Sequence, residues 1–263
     1  MTMYSRGPRR ARVDSRNPWF RHYRVERPRL RLVCFPHAGG TATLYATWAS
    51  RLEEGTELLA VQYPGRQDRL AEPCATSMTE LADAVTAALV PHLDVPVALF
   101  GHSMGSAVAY EVARRLTRTA GAETVALLVS ARSAPHLHGT SAGDAFDDVR
   151  LLESVKRLAG PDAAAYEHPD LRDVLMPSLR ADYRLLGAYR PGPPTERLSV
   201  PVTVYGGDRD PACPVADLDS WAEVTDTGQE TVVFSGGHFY LREHEEALLE
   251  HIGSRLPPRV GAP

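Results

Sequence analysis

At 263 residues, with 43% hydrophobic and 24% charged, the chain can bury one large α/β core and has the composition of a folded globular protein. No apolar stretch approaches the roughly 20 residues that cross a bilayer, so no membrane span is expected. Cys34, Cys74 and Cys213 are odd in number and far apart, which excludes a disulfide framework and a Cys-x-x-Cys metal site and fits a reducing, cytoplasmic location.

Charge is uneven: residues 1–31 hold ten arginines against Asp14 and Glu26, so the rest must be acidic to give a net charge of −4. An acidic body repels phosphates, which argues against nucleic-acid binding. The basic start lacks the apolar segment of a secretory signal. It reads as a disordered tail over residues 1–16, with an organelle transit peptide as the disfavoured alternative.

Residues 19–25 alternate aromatic or apolar with basic side chains, the pattern of a short edge strand. Residues 30–35 form the first strong strand and run into Pro36-His37-Ala38-Gly39-Gly40. Leu44, Trp48 and Leu52 share one face of a helix expected over 43–53, and residues 57–62 form the next strand. Ser77-Met78-Thr79-Glu80 has the form of a capping box, and the apolar positions from Leu81 to Leu89 fit the helix it would start. The apolar run 97–100 then enters Gly101-His102-Ser103-Met104-Gly105, a helical pattern leaves it over 106–116, and residues 125–130 read as a buried parallel strand.

This alternation means βαβ units and a mostly parallel sheet with helices on both faces. From 136 to 194 no strand pattern occurs. Residues 146–158 and 171–189 have helical spacing, the second interrupted by Pro177, so the block reads as a helical lid inserted in the core. The sheet resumes at 200–205 and 231–234, and residues 244–256 form a closing helix ahead of a tail from Pro257. The expected division is a tail at 1–16, a core at 17–135 and 195–257, and a lid at 136–194.

Gly-x-Ser-x-Gly between a strand and a helix is the pattern of a nucleophile elbow. The sharp turn lifts Ser103 to its tip, and Gly101 and Gly105 leave the space that side chains would otherwise contest. A serine hydroxyl needs a base, and the base needs an acid, arriving on later strand ends in the order Ser, acid, His. Two places qualify: Asp208 and Asp210 after strand 200–205, and His238 after strand 231–234. Asp210, just before Pro211, is favoured as the acid, with Asp208 bracing the turn. His238 is the base; His92, His244 and His251 fall on helices, His136, His138 and His168 in the lid, and His22 near the N-terminus. Two amides must receive the oxyanion, that of Met104 after the nucleophile and that of Ala38 in the small-residue loop after the first strand. His37 and His102 are expected to hold these loops by ring hydrogen bonds.

Together, Phe35-Pro36-His37-Ala38-Gly39-Gly40, Gln62-Tyr63-Pro64-Gly65-Arg66-Gln67-Asp68-Arg69, the Ser103 elbow, Gly206-Gly207-Asp208-Arg209-Asp210-Pro211 and Gly236-Gly237-His238-Phe239-Tyr240 resemble the type II thioesterases, editing enzymes of polyketide and nonribosomal peptide synthesis. The resemblance runs from about residue 18 to 256 and implies an α/β-hydrolase fold. It also implies a Ser103–Asp210–His238 triad, an oxyanion hole of Ala38 and Met104, and ion-pairing by the Arg66–Asp68 segment. The implied activity is hydrolysis of acyl groups from the phosphopantetheine arm of acyl or peptidyl carrier proteins, with no metal, no cofactor and a monomeric enzyme. The rival readings are a carboxylester hydrolase, a chain-releasing thioesterase domain, disfavoured by the initiator methionine, and a catalytically silent hydrolase fold used for binding. The basic tail would serve to recruit acidic carrier proteins.

Overall fold

Runs of Leu, Val, Ala and Phe, buried on both faces, build the sheet that organises the molecule. The structure is a computed structural model that describes residues 12–14, 17–137, 147–158, 163–191, 194 and 196–257. Eight strands among the described residues are β1 (Arg12–Asp14), β2 (Asn17–Tyr23), β3 (Leu30–Phe35), β4 (Thr56–Val61), β5 (Val97–His102), β6 (Thr124–Ser130), β7 (Val202–Gly207) and β8 (Gln229–Phe234). Their order is β1-β2-β4-β3-β5-β6-β7-β8, antiparallel for the first three strands and parallel from β4 onward. The fold expected from the alternating pattern is therefore present.

Alternate residues of each strand enter different cores. Val33, Leu59, Leu99, Leu127 and Val204 pack beneath α1 (Met78–Leu89) and α2 (Met104–Leu116). Leu32, Leu58, Phe100, Leu128 and Tyr205 face the opposite layer. There they meet Tyr45, Trp48 and the closing helix, numbered α7 (Glu245–Arg255) after the helices α3 (Asp148–Leu158) and α4 (Pro169–Ala188) and the single turns α5 (Val215–Leu218) and α6 (Tyr240–Glu243). Leu151, Tyr166, Met176 and Leu179 form a third, smaller cluster within the segment between β6 and β7.

Three expectations need correction. Arg12–Asp14 pairs with β2, so the sheet begins inside the stretch expected to be tail; residues 1–11 and 15–16 lie outside the described residues, as does the expected tail beyond Pro257. The helix over 43–53 is instead two single 3-10 turns, Ala42–Tyr45 and Trp48–Ser50, because Tyr45 Oη is tied to the Phe35 carbonyl at 2.7 Å and the chain must fold back over β3. The capping box expected at α1 forms: the Ser77 hydroxyl accepts from the Glu80 amide at 3.1 Å, and the Glu80 carboxylate reaches back to accept from the Thr76 amide at 2.9 Å. Pro177 does not interrupt α4: packing of Met176 and Leu179 carries the helix past the missing donor.

At the antiparallel edge, buried Glu57 of β4 gathers Arg31 Nε at 2.7 Å, the Val25 amide at 3.1 Å and His22 Nε2 at 2.8 Å. Burial alone would raise the pKa of this carboxyl, but His22, Arg31 and the Val25 amide outweigh it and bring the value from 4.5 down to about 2. A depressed folded pKa stabilises above the unfolded value and loses that contribution as pH falls through the folded one. The thermal stability of the native protein should therefore fall as pH drops from 4.5 to about 2. Glu57→Gln should cost about 1–3 kcal/mol at neutral pH and flatten this acid limb; an unchanged pH profile in the variant contradicts the assignment.

Candidate active site

Ser103 sits between β5 and α2 with φ 56° and ψ −117°, a left-handed conformation costly for a residue with a side chain. Its neighbours hold it there. The Ser103 amide donates to the Ser130 carbonyl at 2.8 Å, and Ser106 Oγ donates to the carbonyls of Gly101 (2.8 Å) and Ser130 (2.9 Å). A methyl group on Gly101 would overlap the Gly105 carbonyl, and one on Gly105 would overlap that of Phe35. The glycines thus let the turn close and let α2 start against the end of β3.

The structure brings Ser103, His238 and Asp210 together from three strand ends. Ser103 Oγ lies 2.9 Å from His238 Nε2, and His238 Nδ1 lies 2.7 Å from Asp210 Oδ2. With its proton on Nδ1, the ring donates to Asp210 and accepts from Ser103, the tautomer a general base needs. Asp210 Oδ1 is held by the Ala212 amide at 2.8 Å. Asp208 faces elsewhere: it accepts from the Gly236 amide at 2.7 Å and ties the β7 loop to the β8 loop, the bracing expected of it.

Ala38 borders the same small cavity as Ser103 and His238. Among the described residues, no hydrogen-bond partner takes up the amide of Ala38 or that of Met104. Met104 opens α2, whose N-terminal dipole favours negative charge.

The two neighbouring histidines divide. His102 Nδ1 meets Ser130 Oγ at 2.9 Å, and Ser130 Oγ meets Tyr240 Oη at 2.6 Å, so His102 holds its loop as expected. His37 does not: its ring has no hydrogen bond among the described residues and packs edge-on to Phe239 at 4.8 Å between centroids. Burial, with smaller repulsion from His238 and Arg66, pushes His37 down to about 3; burial also drives His102 well below its ordinary range. Both rings therefore stay neutral beside His238.

Arg66 makes the ion pair expected of it, but its partner was not foreseen. It is Asp182 on α4, bound through both oxygens at 2.6 and 2.9 Å. A visible signal existed: Asp182 falls on the apolar stripe Leu175, Leu179, Leu186, where a carboxylate needs a partner. Gln67 donates to Thr41 Oγ1 at 3.1 Å, and Asp68 pairs with Arg21.

The cavity at Ser103 has a volume of about 40 Å³, room for a few water molecules. Val155, Leu158, Leu179 and Tyr183 cover it from the inserted segment. A hollow of about 770 Å³ between α1, α2 and the end of α4 is larger, but neither Ser103 nor His238 reaches it. Its Arg114, Arg115 and Arg118 are paired with Glu111, Asp83 and Glu196, so the small apolar cavity is where acyl chemistry fits. No three His, Cys, Asp or Glu side chains are grouped to hold a metal ion among the described residues.

A parallel sheet with a serine at the strand–helix turn and an acid and a histidine on successive later strand ends defines an α/β-hydrolase. Within that class the chain belongs to the thioesterase family: the sequence model named Thioesterase domain matches residues 30–256, and the protein is a thioester hydrolase. It is 38% identical to the thioesterase PikA5 of Streptomyces venezuelae over 253 residues, covering 95% of this chain and 89% of that protein. The solved structure of BorB, a type II thioesterase from the borrelidin biosynthetic cluster, superimposes with a TM-score of 0.82 at 40% identity, covering 91% of this chain and 98% of the other. RedJ, the thioesterase of the prodiginine pathway in Streptomyces coelicolor, gives 0.80 at 36% identity over 89% and 90% of the two chains.

In an NMR pH titration, the ring signals of His37 and His102 should keep their neutral shifts down to about pH 4, because no carboxylate compensates their burial. A His37 midpoint near 6.5, its unperturbed value, would contradict the assignment.

Proposed function

We propose that this thioesterase hydrolyses acyl groups from the phosphopantetheine arm of acyl or peptidyl carrier proteins, removing stalled or aberrant chains in polyketide or nonribosomal peptide synthesis. The observation that supports this most is the Ser103–His238–Asp210 hydrogen-bonded chain beneath an apolar roof. The kinship with thioesterases of such pathways supports the substrate class.

In this reading Ser103 Oγ attacks the thioester carbonyl while His238 Nε2 takes its proton, and Asp210 stabilises the resulting imidazolium. The amides of Ala38 and Met104 receive the charge that develops on the carbonyl oxygen. The pantetheine sulfur leaves and takes the proton from His238 Nε2, which restores the neutral ring; thiols, with pKa near 8.5, depart more readily than alcohols. His238 then takes a proton from the water that attacks the acyl-Ser103 ester and returns it to Ser103 Oγ as the acid is freed. The segment between β6 and β7 acts as the lid. Its apolar side chains line the cavity at Ser103 and select the acyl group. The enzyme works as a cytoplasmic monomer without a cofactor, and its carrier-protein partner brings the substrate.

Ser103→Ala and His238→Ala should each lower kcat by about 10³-fold or more with circular dichroism unchanged. The wild type should prefer an acyl-carrier-protein thioester over the matching simple ester in kcat/KM. Turnover by Ser103→Ala, or preference for the ester, would overturn the reading.

A further inference from the structure

A carboxylate on the buried face of a helix is costly unless its oxygens are satisfied. Asp182 is 5% exposed and uses both oxygens. Oδ1 accepts from Arg66 Nη2 at 2.9 Å, and Oδ2 accepts from Arg66 Nη1 at 2.6 Å and from the Gly39 amide at 2.7 Å. Arg66, 3% exposed, also donates to the carbonyls of Gly40 and Pro64, each at 3.3 Å. One carboxylate on α4 therefore fastens both the loop after β3 and the loop after β4.

The loop after β3 is the one that carries the Ala38 amide. The Gly40 amide donates to the His37 carbonyl at 2.9 Å and closes residues 37–40 into a turn. The His37 carbonyl and the Ala38 N–H belong to one planar trans peptide and point in opposite directions. Drawing the carbonyl into the turn therefore aims the Ala38 N–H outward. Asp182 and Arg66 hold the far side of this turn through the Gly39 N–H and the Gly40 C=O. Gly39 has φ 75°, and a methyl there would run into Leu179 and the Tyr166 hydroxyl. Helix α4 thus rests directly on the turn.

We infer that Asp182, held by Arg66, is a positioning residue that orients the Ala38 amide for the transition state, so that the donor is set only while α4 lies against the loop. The inference rests on reading Ala38 as an oxyanion donor. It makes closure over the acyl group and completion of the catalytic site one event. Arg66 supplies the geometry as much as the charge, since its planar fork matches both carboxylate oxygens.

The test compares Asp182→Asn, the double variant Asp182→Leu/Arg66→Met, and Ile252→Ala, a core truncation in α7. The double variant removes both charges, so no unpaired ion is left buried. For one acyl thioester, kcat should fall about a hundredfold in both Asp182 variants with KM changed less than about threefold, the signature of an interaction made in the transition state. Affinity for an acyl trifluoromethyl ketone, which forms a tetrahedral adduct on the serine, should weaken by a similar factor. Affinity for the matching unreactive amide should not. Ile252→Ala should keep kcat despite its lower Tm, and the double variant should regain Tm without regaining kcat. Wild-type kcat and ketone affinity in either Asp182 variant, or an equal loss of kcat in Ile252→Ala, would overturn the inference. If Ser103→Ala is inactive while the Asp182 variants are normal, only this inference falls; if Ser103→Ala is active, the serine mechanism falls with it.

Discussion

Helix α2 begins so close to the carboxyl end of β3 that no side chain fits between Gly105 and the Phe35 carbonyl. The remaining features of the site depend on that contact. It brings the first amides of α2 beside the loop carrying Ala38, and it forces Ser103 into a left-handed turn whose cost is offset by the Ser106 and Ser130 hydrogen bonds. The sheet supplies the rest by register. β5, β6, β7 and β8 lie parallel and adjacent, so the loops that follow them emerge along one edge.

Electrostatics then separate one histidine from three. His37, His102 and His238 lie within about 6 Å of one another, by ring centroid, in successive pairs. Burial keeps His37 and His102 neutral, and only His238 has a carboxylate on its ring. In the proposed mechanism a proton taken from Ser103 therefore has one place to rest. The same desolvation strengthens every dipole aimed at the reacting carbonyl. Apolar side chains of α3 and α4 line the cavity, and the Arg66–Asp182 pair ties α4 to the loop after β4.

The fold was legible because its signals are local. Continuous apolar runs at 32–35, 97–100 and 125–129 mark buried parallel strands, and Gly101 and Gly105 mark the elbow. Asp210 and His238 were legible because each follows a strand at a position the chain order prescribes. Other features depend on partners far along the chain. Tyr45 reaching the Phe35 carbonyl turns an amphipathic helix pattern into two short turns. The pairing that makes Arg12–Asp14 a strand needs β2 already placed on β4. Asp182 and Arg66 are 116 residues apart, and no short-range pattern joins them, although an aspartate in an apolar stripe is a sign that a partner exists. His37 illustrates the reverse: its motif suggested a hydrogen-bonded ring, whereas tight packing against Phe239 holds it.

The central claim is that Ser103 carries the acyl group between thioester and water. It is tested most directly by intact-protein mass spectrometry after rapid mixing with an acyl thioester whose bulky acyl group slows deacylation. The account predicts a mass increase equal to the acyl group, mapped by peptide sequencing to Ser103 and absent in Ser103→Ala. Steady turnover with no adduct at any time, or an adduct on another residue, would contradict it.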